Sequence, residues 1–339
     1  MKVNRKELLA SLEAVSPGLA SKEVVEQSSS FVFRSGKVMT YNDAISVVAS
    51  VSLEFEGAVR ADELHALLKK YTADELDIEP GDTELKIKGR GSRAGIAIDT
   101  EISLPIDAIP EPKRMRTLPE DFLDSIEACL TSVSTDVGKE TLCCIYLDGE
   151  IAESTDGIRL TQFEYQKPLF KKPCLLPATA AKELIKYKPE RYGTAEGWIV
   201  FDCEGGARFR ARLHEGKFPD TSKIIDFEGE EVTLPEKIAE MIGRARVFSE
   251  STGFEEDNKI QVEIADNKIR IEGRGPGGWV KESCKIEYSG KAVAFTVNPR
   301  LFSDAAALGH AVKVNPDEGR LRIEGNNTIH ILMLMKAAG

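Results

Sequence analysis

Ser154-Thr155-Asp156-Gly157-Ile158-Arg159-Leu160 reads as the end of one strand, a tight turn at Asp156-Gly157, and a second strand continuing through Leu160 and Phe163. Asp bonds to backbone groups two residues on and Gly accepts a positive φ, so the pair turns the chain at little cost. Taken alone, the stretch is a β-hairpin corner without a catalytic side chain. Its place in a repeat makes it informative.

Three segments of the chain share one order of elements. Each begins with an amphipathic helix, over residues 5–16, 119–134 and 235–249, with Pro119 and Pro235 where a first helical turn accepts proline. A hairpin follows, turning at Ser35-Gly36, Asp148-Gly149 and Asp266-Asn267. Asp43 lies seven residues beyond Gly36 and Asp156 seven beyond Gly149, so Tyr41-Asn42-Asp43-Ala44-Ile45 is the counterpart of the opening stretch. A second helix comes next, over residues 63–71, 179–187 and 300–308, and more strands close each segment. The pattern predicts an α+β fold of three modules, residues 1–115, 116–228 and 229–339, each with two helices and about eight strands.

Composition narrows the function. A charged fraction of 30% and a hydrophobic fraction of 42% describe an ordinary globular protein, with no apolar run near 18 residues and no signal peptide at the amino terminus. The expectation is a cytoplasmic protein with no membrane segment. Six cysteines without CxxC spacing and four scattered histidines predict reduced thiols and no metal site. Gly89-Arg90-Gly91-Ser92 and Gly273-Arg274-Gly275-Pro276-Gly277-Gly278 lack the following helix that a phosphate-binding loop requires, so they read as hairpin loops. No catalytic residue and no cofactor is expected, and an enzyme acting on nucleotides is a remote alternative. The net charge of −11 describes only the average field, and basic residues can still gather on one surface.

Four stretches in order along the repeat resemble the bacterial DNA polymerase III beta subunit, the DNA sliding clamp. They are residues 154–160; Glu215-Gly216-Lys217-Phe218-Pro219-Asp220 with Ile224-Ile225; Glu287-Tyr288-Ser289-Gly290 through Phe295, with Asn298-Pro299-Arg300 and Asp304-Ala305; and Ile331-Leu332-Met333-Leu334-Met335-Lys336. The resemblance implies a head-to-tail homodimeric ring around double-stranded DNA, helices inside and sheets outside, associated with the nucleoid. It implies sequence-independent sliding and tethering of DNA polymerase, the clamp loader and other proteins that carry a clamp-binding motif.

Two residue sets follow from the resemblance. A partner-peptide pocket at the seam of the second and third modules would use Leu142, Thr155, Gly157, Ile158, Arg159, Leu160, Ile331, Met333, Met335 and Lys336. DNA would be met by Lys22, Lys139, Lys182, Lys186, Arg244, Arg246 and Arg300. The opening corner is then the one functional corner, and its counterpart at Asn42-Asp43 has no such neighbour.

Some positions depart from the family pattern. Ile158 stands for a usual His, Asp226 and Leu334 for usual prolines, and Ala337-Ala338-Gly339 extend past the usual end. Residues 280–286, expected near the ring interface, offer Ser283 and Cys284 in place of larger apolar side chains. An alternative with the same fold is a phage- or plasmid-type paralogue serving a dedicated polymerase or acting as a tethering scaffold.

Overall fold

A computed structural model describes residues 1–249 and 258–336, so the extension at Ala337-Ala338-Gly339 lies outside the described residues. Two of the helices combine an apolar stripe with an asparagine cap. Arg5–Val15 buries Leu8, Leu12 and Val15, and the Asn4 side chain accepts the N–H groups of Lys6 and Glu7 at 2.9 and 3.2 Å. Pro299–Ala306 is capped in the same way by Asn298, with Pro299 in its first turn. The helices predicted over 119–134 and 235–249 are shorter, Phe122–Leu130 and Ile238–Ser249. In both, the residues after the proline form a separate turn, with the N–H of Phe122 on the Pro119 carbonyl and that of Ile238 on the Pro235 carbonyl.

Among the described residues, eight strands fall in residues 1–115, eight in 116–228 and eight in 229–336, each segment with two helices of at least seven residues. The chain divides into two compact units, residues 1–123 with 176–215, and residues 124–175 with 216–339. In the first unit the strand Ile45–Ser50 pairs antiparallel with Arg208–Arg212, bringing Ile45 opposite Ala211 within one large sheet. In the second unit Arg159–Glu164 pairs with Thr328–Met333, bringing Arg159 opposite Leu332. A separate four-stranded sheet of the second unit runs in the order Gly278–Lys285, Lys268–Gly275, Ile260–Ala265, Val293–Val297. The two central strands, Ile260–Ala265 and Lys268–Gly275, alternate buried and outward residues, as a sheet with one covered face requires.

The two strand seams are alike atom for atom. The N–H of Arg212 donates to the Ala44 carbonyl and that of Met333 to the Ile158 carbonyl, both at 2.8 Å. One residue on, Leu213 donates to the Gly197 carbonyl and Leu334 to the Gly319 carbonyl, both at 2.7 Å. This shifts the expected repeat by one residue. The second-segment hairpin closes with the Asp148 N–H on the Ile151 carbonyl, so its loop is Gly149-Glu150, whereas the first closes at Arg34 and Lys37 around Ser35-Gly36. The counterpart of Asp156 is therefore Asn42, not Asp43. Asn42 Oδ1 accepts the N–H groups of Ala44 and Ile45, as Asp156 Oδ1 accepts those of Ile158 and Arg159. Asp43 occupies the place of Gly157, and both have positive φ, 72° and 93°.

The helix Ile238–Ser249 rests directly on the hairpin strand Lys268–Gly275. A Cβ at Gly273 would meet the Ala245 carbonyl oxygen at 2.0 Å, whereas one at Gly243, on the same helix, would meet nothing within 4 Å. Gly273→Ala should therefore lower stability by about 1–3 kcal/mol through forced separation of helix and strand. Gly243→Ala should raise it by about 0.5–1 kcal/mol by restricting the unfolded chain. Thermal denaturation of the two variants checks both signs, and equal effects would overturn the packing account.

Candidate docking corner and basic surface

The corner at residues 154–160 is over-determined by its own side chains. Thr155 Oγ1 donates to the Arg159 carbonyl at 2.7 Å and accepts the Gly157 N–H at 3.1 Å. Asp156 bonds its turn through Oδ1 and holds Arg159 Nε through Oδ2 at 3.0 Å, while Asp304 Oδ2 takes Arg159 Nη1 at 3.2 Å. The Arg159 guanidinium is thereby fixed between two carboxylates.

On one face of the seam, Leu160 and Ile331 lie directly opposite each other and pack with Phe227, Ile224, Ile225 and Ile329. Both are closed off, at 2% and 1% exposure, so they form the floor of a site and not its walls. The open apolar atoms belong to Ile158 and Met333, at 49% and 39% exposure, joined by the backbone hydrogen bond between them. An apolar pair on a dry, rigid floor is suited to holding the apolar anchors of an extended peptide. Each such side chain, once covered, contributes on the order of 1 kcal/mol.

The remaining expected pocket residues divide. Leu142 packs in a neighbouring cluster with Cys144, Leu175, Phe218 and Tyr146, where Tyr146 and Phe218 stack at 5.1 Å. Met335 bonds through its N–H to the Thr296 carbonyl at 2.8 Å and so belongs to the edge of Val293–Val297, with exposed Lys336 after it. Phe227, Ile224, Ile225 and Asp304 join the site without having been expected there. The two isoleucines were signalled by their place in the Phe218 to Ile225 motif and Asp304 by its place in the third stretch, but nothing local tied Asp304 to Arg159, 145 residues away.

The counterpart corner does have a neighbour, against the expectation. Arg212 stands where the second seam has Met333, bonded to Asp43 Oδ1 at 2.6 Å and lying over the Trp198 ring at 5.1 Å, with Tyr41 beside the ring at 6.2 Å. A paired cation caps this seam where the other presents a thioether.

Beneath the second seam lies a buried polar group. His330 Nδ1 is 2.7 Å from Thr161 Oγ1, which lies 2.6 Å from Ser132 Oγ, and Nε2 has no hydrogen-bond partner. Burial, then the nearby Arg159 charge, push the imidazole down to about 4, with Asp156 opposing. In the first seam Phe209 holds the equivalent position, its ring tilted against that of Tyr187 with the centres 5.1 Å apart. The thiols of Cys144, Cys174 and Cys203 are pushed up to about 12 by burial, which leaves them protonated and unreactive.

The basic candidates are spread over both units. Lys182 lies on the helix Ala178–Leu184 and Lys186 in the turn after it, bonded to Glu183 at 2.8 Å; Lys22 is exposed in the loop after the first helix. In the second unit Lys139 is exposed and 4.0 Å from Asp136, and Arg300 is exposed on Pro299–Ala306. Arg244 and Arg246 lie on Ile238–Ser249, and Arg244 forks onto Glu282 at 2.8 and 2.9 Å, which raises its pKa. Among the described residues no group of three or more His, Cys, Asp or Glu could hold a metal, and no helix is long and apolar enough to cross a membrane.

The chain superimposes over 99% of its length on solved sliding clamps. The Bacillus subtilis DNA polymerase sliding clamp aligns over 99% of its own length with a TM-score of 0.87 at 15% identity. The fold is that of the DNA sliding clamp. The Helicobacter pylori beta clamp bound to a DNA ligase peptide aligns over 100% of its length with a TM-score of 0.86 at 19% identity. The Pseudomonas aeruginosa sliding clamp bound to griselimycin gives 0.84 over 99% at 17% identity. No family model and no curated protein matches the sequence.

His330 gives the clamp fold an acid-sensitive point. The unfolded imidazole protonates near 6.5 and the folded one only near 4, so stability is full above pH 6.5 and is lost as pH falls towards 4, by about 3 kcal/mol at most. His330→Phe, which copies Phe209, should flatten this part of the stability–pH curve. Equal slopes for both proteins in denaturant titrations from pH 7 to 4.5 would show that His330 does not cause it.

Proposed function

We propose that the protein is a DNA sliding clamp, a processivity factor whose two copies close head to tail around duplex DNA and tether a polymerase and other partners. The observation that carries this reading is the clamp fold along the whole chain, with an open apolar corner at Ile158 and Met333. Each copy would supply the three modules 1–115, 116–228 and 229–339 to a six-module ring. A closed ring holds DNA by linkage, so its phosphate contacts can be weak enough to slide. Lys22, Lys139, Lys182, Lys186, Arg244, Arg246 and Arg300 are the proposed contacts, Arg244 after exchanging Glu282 for phosphate. An acidic outer surface around a basic lining accounts for the net charge of −11. The setting is the cytoplasm, at the nucleoid, and no step of this role requires catalysis or a cofactor.

Partners would dock by a short peptide at the corner formed by Thr155, Gly157, Ile158, Arg159 and Met333 over the floor of Leu160 and Ile331, flanked by Leu142, Met335 and Lys336. The Helicobacter pylori clamp bound to a DNA ligase peptide and the Pseudomonas aeruginosa clamp bound to griselimycin support a ligand of this kind. Met suits a site that serves several peptides, because its thioether repacks. With Ile158 beside Met333 the wall is apolar, which favours peptides with aliphatic or aromatic anchors.

Two measurements test the proposal. The protein loaded on a nicked circular duplex by a clamp loader should stay bound in high salt and be released when the circle is cut; equal retention on circle and line overturns the ring. Ile158→Ala with Met333→Ala should weaken a fluorescent clamp-binding peptide by about ten- to thirty-fold, because two apolar side chains no longer cover the peptide's anchors. Unchanged affinity would move docking away from this corner.

A further inference from the structure

Each of the three repeated segments opens with a short strand that is the end strand of its sheet among the described residues: Lys2–Asn4, Arg116–Thr117 and Glu230–Thr233. The chain leaves all three in the same way. Arg5, Leu118 and Leu234 donate their N–H groups to the facing carbonyls of Asp74, Glu190 and His310, at 2.8, 2.9 and 2.8 Å. Bonding alternates along an antiparallel pair. With Leu234 bonded to His310, it is Val232 and Glu230 that bond to Val312 and Val314, and Glu231 and Thr233 turn their N–H and C=O groups to the open side.

The three edges differ in what they offer. Arg116–Thr117 is two residues long and turns only Thr117 outward. Lys2–Asn4 turns out Lys2 and Asn4, but the Asn4 side chain is committed to capping the helix that follows. Glu230–Thr233 is the longest, and it borders an open groove of about 870 Å³ between the edge and residues 286–290. Two contacts fix the strand there. Val232 is buried in the core, and Glu230 Oε2 accepts the Lys291 N–H at 3.0 Å beside the Tyr288 hydroxyl. The loop is thereby pinned at one end of the strand, and Glu231 and Thr233 remain exposed. The charged side chains along the groove are Glu230, Glu231, Glu287 and Glu324 against Lys313 alone, which lies 3.3 Å from Glu231.

We propose that Glu230–Thr233 is a second docking edge, which takes an extended basic segment of a partner protein by strand addition. The incoming backbone pairs with the free groups of Glu231 and Thr233. Its side chains then alternate between two faces. One row places lysine or arginine over Glu231 and Glu324, and the other places an apolar residue against Ile286 and the Tyr288 ring. Charge selects this occupant over the alternatives. Four glutamates repel nucleic acid, and Glu231 on the edge repels the same edge of a second copy. The site is separate from the corner at Ile158 and Met333 and requires no ring, so it stands apart from the clamp reading.

The test uses the full chain and a fluorescent peptide of alternating lysine and valine, read by anisotropy and by amide hydrogen exchange. The wild type should bind it, with the amides of Glu231 and Thr233 slowed on binding, and should not bind a peptide of alternating glutamate and valine. Thr233→Pro removes one outward N–H and leaves the inward pairs of Val232 and Leu234 in place, so affinity should fall about three- to tenfold. Glu231→Lys should weaken binding about tenfold at low salt. Thermal denaturation of both variants should match the wild type. Loss with Glu231→Lys but not with Thr233→Pro, and no slowing of the two amides, would reduce the site to charge attraction and overturn strand addition. No binding by the wild type, or equal binding of the glutamate peptide, overturns the proposal outright. Ile158→Ala with Met333→Ala should leave this binding unchanged; its loss there would assign the peptide to the first corner and overturn a separate edge.

Discussion

An unpaired strand edge exposes a row of N–H and C=O groups that must find partners, and this constraint organises the molecule. The chain meets it twice internally, at Ile45–Ser50 with Arg208–Arg212 and at Arg159–Glu164 with Thr328–Met333. Each seam ends in the same backbone bond, from Arg212 to Ala44 and from Met333 to Ile158. Because the backbone frame is shared, a seam's use is decided by the few side chains that sit on it. Arg212, tied to Asp43 and spread over Trp198, closes one seam with charge and aromatic surface. Met333 and Ile158 leave the other open with apolar atoms.

The residues under each seam follow the same division. Phe209 and Tyr187 fill the first with rings, the Tyr187 hydroxyl satisfied on the Ala14 carbonyl. His330, Thr161 and Ser132 fill the second with a short hydrogen-bonded chain that leaves one ring nitrogen unpaired. A buried polar group of this kind costs stability, and apolar packing at Phe209 shows that the frame does not need it. Its neighbour Arg159, held by Asp156 and Asp304, belongs to the docking corner, so the polar chain lies directly behind the part of the seam proposed to meet partners.

Much of this is legible in the sequence because it is written in local chemistry. Ser35-Gly36 and Asp266-Asn267 form the expected hairpin loops with positive φ throughout, and the glycine-rich stretches at 89–92 and 273–278 are hairpin ends, not phosphate loops. Where sequence and structure part, two local signals compete. Asp148-Gly149 is a stronger turn pair than Gly149-Glu150, yet the strand register set by alternating apolar residues places the loop at the latter. The one-residue slip hides the match between Asn42 and Asp156. Pro119 and Pro235 mark helix starts correctly in kind but three residues early, because each proline opens a preceding turn.

The docking corner is legible only in part, and the reason is distance along the chain. Ile158 and Met333 are 175 residues apart and share a site because two strands pair, a fact that no spacing rule contains. Only a threefold repeat makes such a pairing inferable, since each closing strand then has an expected partner in the hairpin of another segment. The same logic explains why Arg212 gives no sign in the sequence of being a cap. Its role depends on standing at Met333's position in a frame that the sequence conceals until the one-residue offset is removed. Once the frame is known, the side chain at each internal seam position becomes readable, Arg212 as a paired cap and Met333 as an open apolar end.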